Sequence, residues 1–136
     1  MDSEVWVFDV DGCLIDSLTG SSVRPGTHQL LEDLRTHGCE VLLWSAGGAD
    51  YARARAEEHG FEHLIDAFHA KDGRDGAGRY CTTAFAADLS GVVFVDDRPE
   101  DLPVGADIIA VFPYLATNPH DRGLSEAMQR LEGQRA

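Results

Sequence analysis

Two pairs of aspartates stand where apolar segments of the chain end. Asp9 and Asp11 close the segment 4–10, and Asp96 and Asp97 follow Val92-Val93-Phe94-Val95. Carboxylates beside buried strands are costly unless a cation, a proton or hydrogen bonds compensate their charge. Open α/β sheets bind ligands at the carboxyl ends of their parallel strands. The two pairs therefore predict one acidic site, with oxygen ligands of the kind that a hard divalent cation prefers.

The elements that must position these residues alternate between strand and helix. Five short apolar segments are predicted as strands: Glu4–Val10, Glu40–Trp44, Ala67–Ala70, Gly91–Val95 and Asp107–Phe112. Segments of helical periodicity are predicted as helices: Thr27–His37, Ala49–His59, Tyr80–Leu89 and Leu124–Leu131. This alternation predicts an α/β three-layer sandwich around a central parallel five-stranded sheet. We expect a single domain over residues 1–136, with a polar tail at 129–136 that is prone to fraying.

Composition and charge exclude several classes of function. The 136 residues carry a formal net charge of −13, which argues against general affinity for nucleic acid or anionic membranes, since both require a basic surface. No apolar segment approaches the ~20 residues of a transmembrane helix, and the N-terminal sequence lacks the basic region of a secretion signal. Three widely spaced cysteines, Cys13, Cys39 and Cys81, predict neither disulfides nor a zinc site and fit a reducing cytoplasm.

Two further residues complete the row of strand ends. Ser45 follows the second predicted strand, and Lys71, the chain's only lysine beside ten arginines, follows the third. An ammonium group is more compact than a guanidinium, so one lysine is expected where a small cation must fit. Composition and chance are the alternative explanation for this bias.

In this order the residues resemble the motifs of the haloacid dehalogenase-like superfamily, in its phosphatase branch, over nearly the whole chain. That family has Asp-x-Asp-Gly after the first strand, a Ser or Thr after the second, a Lys further on and an acidic pair after the fourth. Here these are Asp9-Val10-Asp11-Gly12, Ser45, Lys71 and Asp96-Asp97. The resemblance implies a Rossmann-like core. The gaps between motifs leave no room for the cap domain that most members carry, so we expect a capless member with the turn Asp16–Val23 as its flap.

The resemblance also implies a catalytic role for each of five residues. Asp9 would be the nucleophile that forms an aspartyl-phosphate. Asp11 would protonate the leaving group and then activate the water that hydrolyses the intermediate. The hydroxyl of Ser45 and the backbone amide of Ala46 would bind phosphoryl oxygens, and Lys71 would neutralise charge on Asp9 and the transferred group.

The cofactor that the resemblance implies is Mg²⁺. Its ligands would be Asp9, the backbone carbonyl of Asp11, and Asp96, with Asp97 in or just behind the coordination shell. Asp101 is a weaker candidate for the second acid, because some relatives place that residue later in the chain. Cys13 stands where relatives often have Thr, and we expect it to be a buried and inert thiol.

Taken singly, several of these residues have simpler explanations. Ser45 could cap the helix that begins at Ala49, and Asp97 could form a surface ion pair with Arg98 worth under ~1 kcal/mol. Two candidates outside the motifs also remain open. His69 could contact a substrate, and Asn118–Arg122 is expected to be a capping turn rather than a phosphate site.

The predicted function is a Mg²⁺-dependent phosphatase that hydrolyses a phosphomonoester of a small metabolite or a phosphoprotein. An uncapped site suits a large substrate, or a small one enclosed by a second subunit of a homo-oligomer. The alternative is a non-enzymatic phospho-acceptor module that resembles response-regulator receivers. Receivers place the acidic pair after the first strand and the phosphorylated Asp after the third, whereas here the pair follows the fourth strand. The order of motifs therefore favours the enzyme.

Overall fold

The computed structural model describes residues 4–82, 85–86 and 88–135. Its five strands form one parallel sheet in the order β3-β2-β1-β4-β5. The strands are β1 Val5–Phe8, β2 Glu40–Ser45, β3 Ala67–Ala70, β4 Val92–Asp96 and β5 Asp107–Ala110, and the helices are α1 Thr27–Thr36, α2 Ala49–Glu58 and α3 Ser125–Arg135. The predicted central parallel sheet is confirmed, and within the described ranges the connections between strands hold α1, α2, two short 3-10 helices at Glu62–Leu64 and Pro99–Asp101, and turns.

The strand order and register bring the strand ends to one crevice. Val5 of β1 lies opposite Glu40 of β2 and Val92 of β4, and Phe8 lies opposite Leu43 and Val95. The chain winds from β1 through β2 to β3 in one direction, and β4 and β5 lie on the other side of β1. The winding thus reverses between β1 and β4, and this switch point is where doubly wound sheets bind ligands.

One face of the sheet is covered by all three α-helices. Trp6 and Phe8 of β1 point to this face, because alternate residues of a strand point to opposite sides. Leu30, Leu31 and Leu34 form the apolar stripe of α1 that packs there, and all three are fully buried. Helix α3 runs to Arg135, beyond the predicted end at Leu131. None of the helices in the described ranges is long and apolar enough to cross a membrane.

The opposite face is covered by turns and not by the predicted helix over Tyr80–Leu89. That prediction is wrong for the residues of this segment that the structure describes, none of which is α-helical; residues 83, 84 and 87 lie outside them. The rings of Tyr80 and Phe85 both pack against Trp44 of β2, with centroids at 5.6 and 5.4 Å. Residues five apart point to very different sides of a helix, so a helix could not place both rings on Trp44. Aromatic packing therefore overrides the local periodicity.

Candidate active site

The residues predicted to carry the chemistry surround one cavity of about 290 Å³ at the carboxyl ends of the strands. The predicted residues in its lining are Asp9, Asp11, Ser45, Ala46, Lys71 and Asp97, and the others are Gly47, Arg74, Tyr80, Arg98 and Asp101. Asp96 joins the group through Lys71. The structure thus brings every residue of the predicted site together, although they come from four different strand ends.

Lys71 connects the first strand end to the fourth. Its ammonium donates to Asp9 Oδ1 and to Asp96 Oδ2, each at 3.0 Å, and all three side chains are at most 13 % exposed. The ammonium also lies 5.0 Å from the ring centre of Trp44 and 5.3 Å from that of Tyr80. These aromatic faces add favourable contacts for a cation. The geometry fits the compact ammonium that the lone lysine predicts.

The site holds more negative charge than Lys71 can balance. Burial raises the pKa of Asp9 well above its usual value, and the Asp96 carboxylate raises it further, against the opposing effect of Lys71. Burial also raises the pKa of Asp96, while Lys71 and the Arg98 amide oppose the change. For Lys71, burial lowers the pKa, but Asp9 and Asp96 outweigh it and the net shift is upward. Carboxylates that crowd each other favour binding of a further cation.

Three carboxylates are arranged as a metal site. One oxygen from each of Asp9, Asp96 and Asp97 lies within 4.8 Å of the other two, and this is the one such group within the described ranges. Asp97 Oδ1 is buried and has no hydrogen-bond partner among the residues that the structure describes, which is unusual for a charged oxygen. With all three carboxylates ionised, the one ammonium of Lys71 leaves two negative charges uncompensated, which a bound cation would offset. The donor set and the charge both fit a hard divalent cation such as Mg²⁺.

Gly12 is required by the close approach of the first loop to Asp97. Its φ of +81° lies in the left-handed region that favours glycine. A Cβ added at Gly12 would lie 2.7 Å from Asp97 Oδ2, which is too close for any real contact. A larger residue here would therefore combine an unfavourable backbone conformation with displacement of the Asp97 carboxylate.

The loop after β2 provides a small polar pocket wall. Ser45 is buried, and its Oγ accepts a hydrogen bond from the Gly47 amide at 3.0 Å. Its carbonyl accepts from the amide of Lys71 at 2.9 Å, so the same residue anchors the chain after β3. The N-terminal cap of α2 is Gly48, and the simpler explanation of Ser45 as that cap is wrong.

Tyr51 contacts Asp11 and was not predicted from the sequence. Its hydroxyl donates to the Asp11 carboxylate, at 2.9 and 2.8 Å from the two oxygens. A Cβ at Gly47 would lie 2.7 Å from the Tyr51 ring, so the ring also packs against the loop after β2. The signal in the sequence is its place in the first turn of α2, beside the predicted Ser45 loop. This contact holds the Asp11 side chain in one orientation at the edge of the cavity.

Charged and aromatic side chains form a rim around the cavity; Asp101 was predicted only as a weaker candidate for the metal-binding acid, and Arg74, Tyr80 and Arg98 were not predicted to line it. Arg74, Tyr80, Arg98 and Asp101 line the cavity from the connections after β3 and β4. Arg98 donates to Asp101 at 3.0 Å, so the simpler explanation of Asp97 as the ion-pair partner of Arg98 is not supported. Asp101 is absent from the carboxylate cluster and pairs with arginines instead.

Residues outside this cavity have mainly structural contacts. Cys13 is buried, and burial and the Asp9 carboxylate raise the pKa of its thiol well above the usual value. His69 packs against the Phe85 ring and does not line the cavity. In the segment 118–122, Asn118 Oδ1 accepts from the His120 amide, and Asp121 binds Arg24. That segment forms a turn before α3.

The sequence matches the NLI interacting factor-like phosphatase family over residues 5–135. No curated protein matches the chain significantly. The fold is similar to the core domain of a Streptococcus pneumoniae TIGR4 protein provisionally assigned as a phosphoglycolate phosphatase, at 14% identity and TM-score 0.61, covering 97% of each chain. It is also similar to Fcp1, described as an essential RNA polymerase II CTD phosphatase, at 17% identity and TM-score 0.63. A third similar structure is an uncharacterized protein from Listeria monocytogenes serotype 4b, at 12% identity and TM-score 0.63, covering 96% of this chain and 99% of that one.

These structural likenesses establish the fold, and the family match carries the classification. The chain covers 97% of its own length in the comparison with Fcp1 but spans only 50% of that chain. The family match extends over nearly all residues, and it includes every motif that resembles the haloacid dehalogenase-like phosphatases. This chain belongs to the NLI interacting factor-like phosphatase family.

Proposed function

We propose that this protein is a Mg²⁺-dependent phosphomonoesterase that works through an aspartyl-phosphate on Asp9. The observation that carries the proposal is the position of Lys71, 3.0 Å from both Asp9 and Asp96 at the base of the cavity. Family membership supports hydrolysis of a phosphate ester over the receiver-like alternative.

The metal would be held by Asp9, Asp96 and Asp97 and by the backbone carbonyl of Asp11. The unpartnered Asp97 Oδ1 and the two uncompensated charges support this assignment. When bound, Mg²⁺ would offset the repulsion between the Asp9 carboxylate and a phosphate dianion.

The residues of the chain account for both halves of the reaction. An oxygen of Asp9 attacks phosphorus, the bond from phosphorus to the leaving oxygen breaks, and Asp11 gives that oxygen a proton. Water then displaces Asp9 from phosphorus while Asp11 takes up a proton, which releases inorganic phosphate. Ser45 Oγ and the Ala46 amide hold the phosphoryl oxygens, and the Lys71 ammonium stabilises the charge that spreads over them.

The substrate is a phosphorylated small metabolite or a phosphoprotein, and a homo-oligomer is compatible with the open site. Fcp1 is described as a phosphatase of the RNA polymerase II CTD, which supports a phosphoprotein, whereas the cavity volume suits a small ester. The three cysteines are free, which supports a reducing compartment such as the cytoplasm.

The test is Asp9→Asn, assayed with p-nitrophenyl phosphate and Mg²⁺. We expect kcat to fall by at least about 10³-fold, with circular dichroism unchanged. EDTA is expected to stop turnover of the unmodified protein, and added Mg²⁺ to restore it. Acid quenching during turnover is expected to trap a phosphoryl group on Asp9, detected by peptide mass spectrometry. Substantial turnover by the variant, or activity that resists the chelator, would contradict the proposal.

A further inference from the structure

Two arginines that the proposed reaction does not use line the cavity. Arg74 follows β3 and Arg98 follows β4, and both belong to the same cavity lining as Asp9 and Lys71. The catalytic proposal assigns the phosphoryl group to Lys71, Ser45 and Ala46 and uses neither guanidinium. In a chain of net charge −13, two further cations beside one cavity call for a ligand of opposite charge.

Asp101 and Tyr80 hold the two guanidinium groups in place. Arg98 donates through Nε to Asp101 Oδ2 at 3.0 Å, and Arg74 Nη1 lies 3.6 Å from Asp101 Oδ1. Arg74 Nη1 also donates to the Gly78 carbonyl at 2.6 Å, and its guanidinium lies 4.1 Å from the Tyr80 ring centre. These contacts orient both side chains toward Asp101 and use only part of their hydrogen-bonding capacity. Preorganised donors of this kind bind anions with less loss of side-chain entropy.

The remaining donors are open to a ligand. Within the described ranges, Arg98 contacts the carboxylates of Asp101 and Glu100 through Nε alone. Arg74 contacts the Gly78 carbonyl and the Asp101 carboxylate through Nη1 alone. The other N–H groups of the two guanidinium groups make no hydrogen bond to a described residue, and the side chains of Arg98 and Arg74 are 67% and 47% exposed. Guanidinium groups recognise carboxylates and phosphates through paired hydrogen bonds. The cavity of about 290 Å³ accommodates the transferred phosphoryl group and a short moiety next to it.

We infer that Arg74 and Arg98 form a subsite for a second anionic group of the substrate, a carboxylate or a phosphate a few bonds from the transferred phosphoryl group. The inference rests on the proposed function and deepens it: the preferred substrate is a short acidic phosphomonoester. Without these cations, the four aspartates of the lining, Asp9, Asp11, Asp97 and Asp101, would repel such a molecule. The arginines reverse that repulsion on one side of the cavity.

Matched pairs of esters test the subsite by equilibrium binding. 3-Phosphoglycerate is compared with glycerol 3-phosphate for the carboxylate, and propane-1,3-diol bisphosphate with its monophosphate for the phosphate. Dissociation constants are measured by calorimetry with Mg²⁺ in the Asp9→Asn protein, so that no substrate is consumed. We expect the more acidic member of at least one pair to bind about fivefold more tightly or better.

Charge-removing variants assign the preference to the arginines. Arg74→Gln and Arg98→Gln, added to the same background, are each expected to reduce the ratio of dissociation constants by about threefold or more. Arg53→Gln on α2 is the matched control, because it removes the same charge away from the cavity and should leave the ratio as it was. The pair of esters whose ratio falls in the variants shows whether the arginines recognise a carboxylate or a phosphate.

Three results would overturn the proposed subsite. A ratio near one for both pairs, or a ratio that neither cavity variant changes, would overturn the subsite. A loss of preference in Arg53→Gln equal to that in the cavity variants would overturn it as well, because long-range charge would then explain the effect. Failure of the proposed function looks different: the unmodified protein would hydrolyse none of the four esters, while the binding preference and its loss in the variants would persist.

Discussion

The two faces of the sheet are covered in different ways. On one face, helices α1, α2 and α3 bury a mainly aliphatic cluster around Trp6 and Phe8. On the other, turns between β3 and β5 bury an aromatic cluster in which Trp44 contacts Tyr80, Phe85 and Phe94. The irregular cover also contributes Arg74, Tyr80 and Asp101 to the cavity.

The difference indicates that one face of the sheet mainly stabilises the fold, whereas the other also shapes the cavity. Helices cover a sheet with regular stripes of side chains, so the helical face gives stability from local sequence pattern. Turns follow no such pattern, and they place polar side chains at the end of the sheet where the cavity lies. The same segment therefore closes the core and shapes the site. Substitutions on the two faces should separate loss of stability from loss of activity.

The largest expected effect is a difference between two buried leucines. Leu31 on the helical face and Leu102 under the turns are both fully buried. Leucine-to-alanine changes in cores cost about 2–5 kcal/mol, with the larger values where the surroundings cannot collapse into the cavity. We expect Leu31→Ala to lie near the upper end of that range and Leu102→Ala near the lower end, measured by urea unfolding. Equal losses would mean that the turns are packed as rigidly as the helices.

An intermediate effect is expected at the buried arginine of the helical side. The Arg24 side chain is fully buried, and it donates to Asp121 Oδ1 and Oδ2 at 2.7 and 3.2 Å. Removing one partner of such a pair leaves a buried charge, so Asp121→Asn should lower the unfolding free energy by about 1–3 kcal/mol at pH 7. Asp107→Asn is the control. Its partner Arg130 is partly exposed, and the expected loss is under ~1 kcal/mol.

This effect should depend on pH in a defined direction. Burial raises the pKa of Asp121, but hydrogen bonds from Arg24 and the Gly123 amide outweigh it, and the net pKa is below the usual value. A lowered folded-state pKa contributes stability that is complete above the unfolded value of about 4 and is lost as the pH falls through the folded value. The gap between the unmodified protein and Asp121→Asn should therefore shrink below about pH 4. A gap that stays constant to pH 2.5 would contradict this account.

The smallest effect on stability, paired with a clear effect on activity, is expected at Tyr80. The ring faces Lys71 and Arg74 and is only partly buried. Tyr80→Leu keeps an apolar group but removes the aromatic face and the ring contact with Trp44, so kcat/KM should fall about 3- to 10-fold while the unfolding free energy falls by about 1 kcal/mol. Tyr80→Phe retains the face and is expected to lose less activity than Tyr80→Leu. Equal losses in the two variants would show that the phenol oxygen matters and not the ring face.

The sequence predicts the parts of this molecule that depend on burial alone. Strands buried on both faces read as continuous apolar segments, which is why their number and the acids at their ends could be predicted. The segment from Tyr80 to Leu89 could not, because its conformation is decided by Trp44 on a distant strand. Arg74 and Tyr51 were missed for a similar reason. Each reaches the cavity through a tertiary contact that no local pattern records.

The narrow gap between Gly12 and Asp97 links two positions that are far apart in the chain. A bulkier side chain at position 12 would displace the carboxylate that follows β4, so a change there alters the position of Asp97. Among descendants of this sequence, the glycine and the acid are therefore expected to be kept or lost together. Drift at either position alone would be eliminated by selection for an intact acidic cluster.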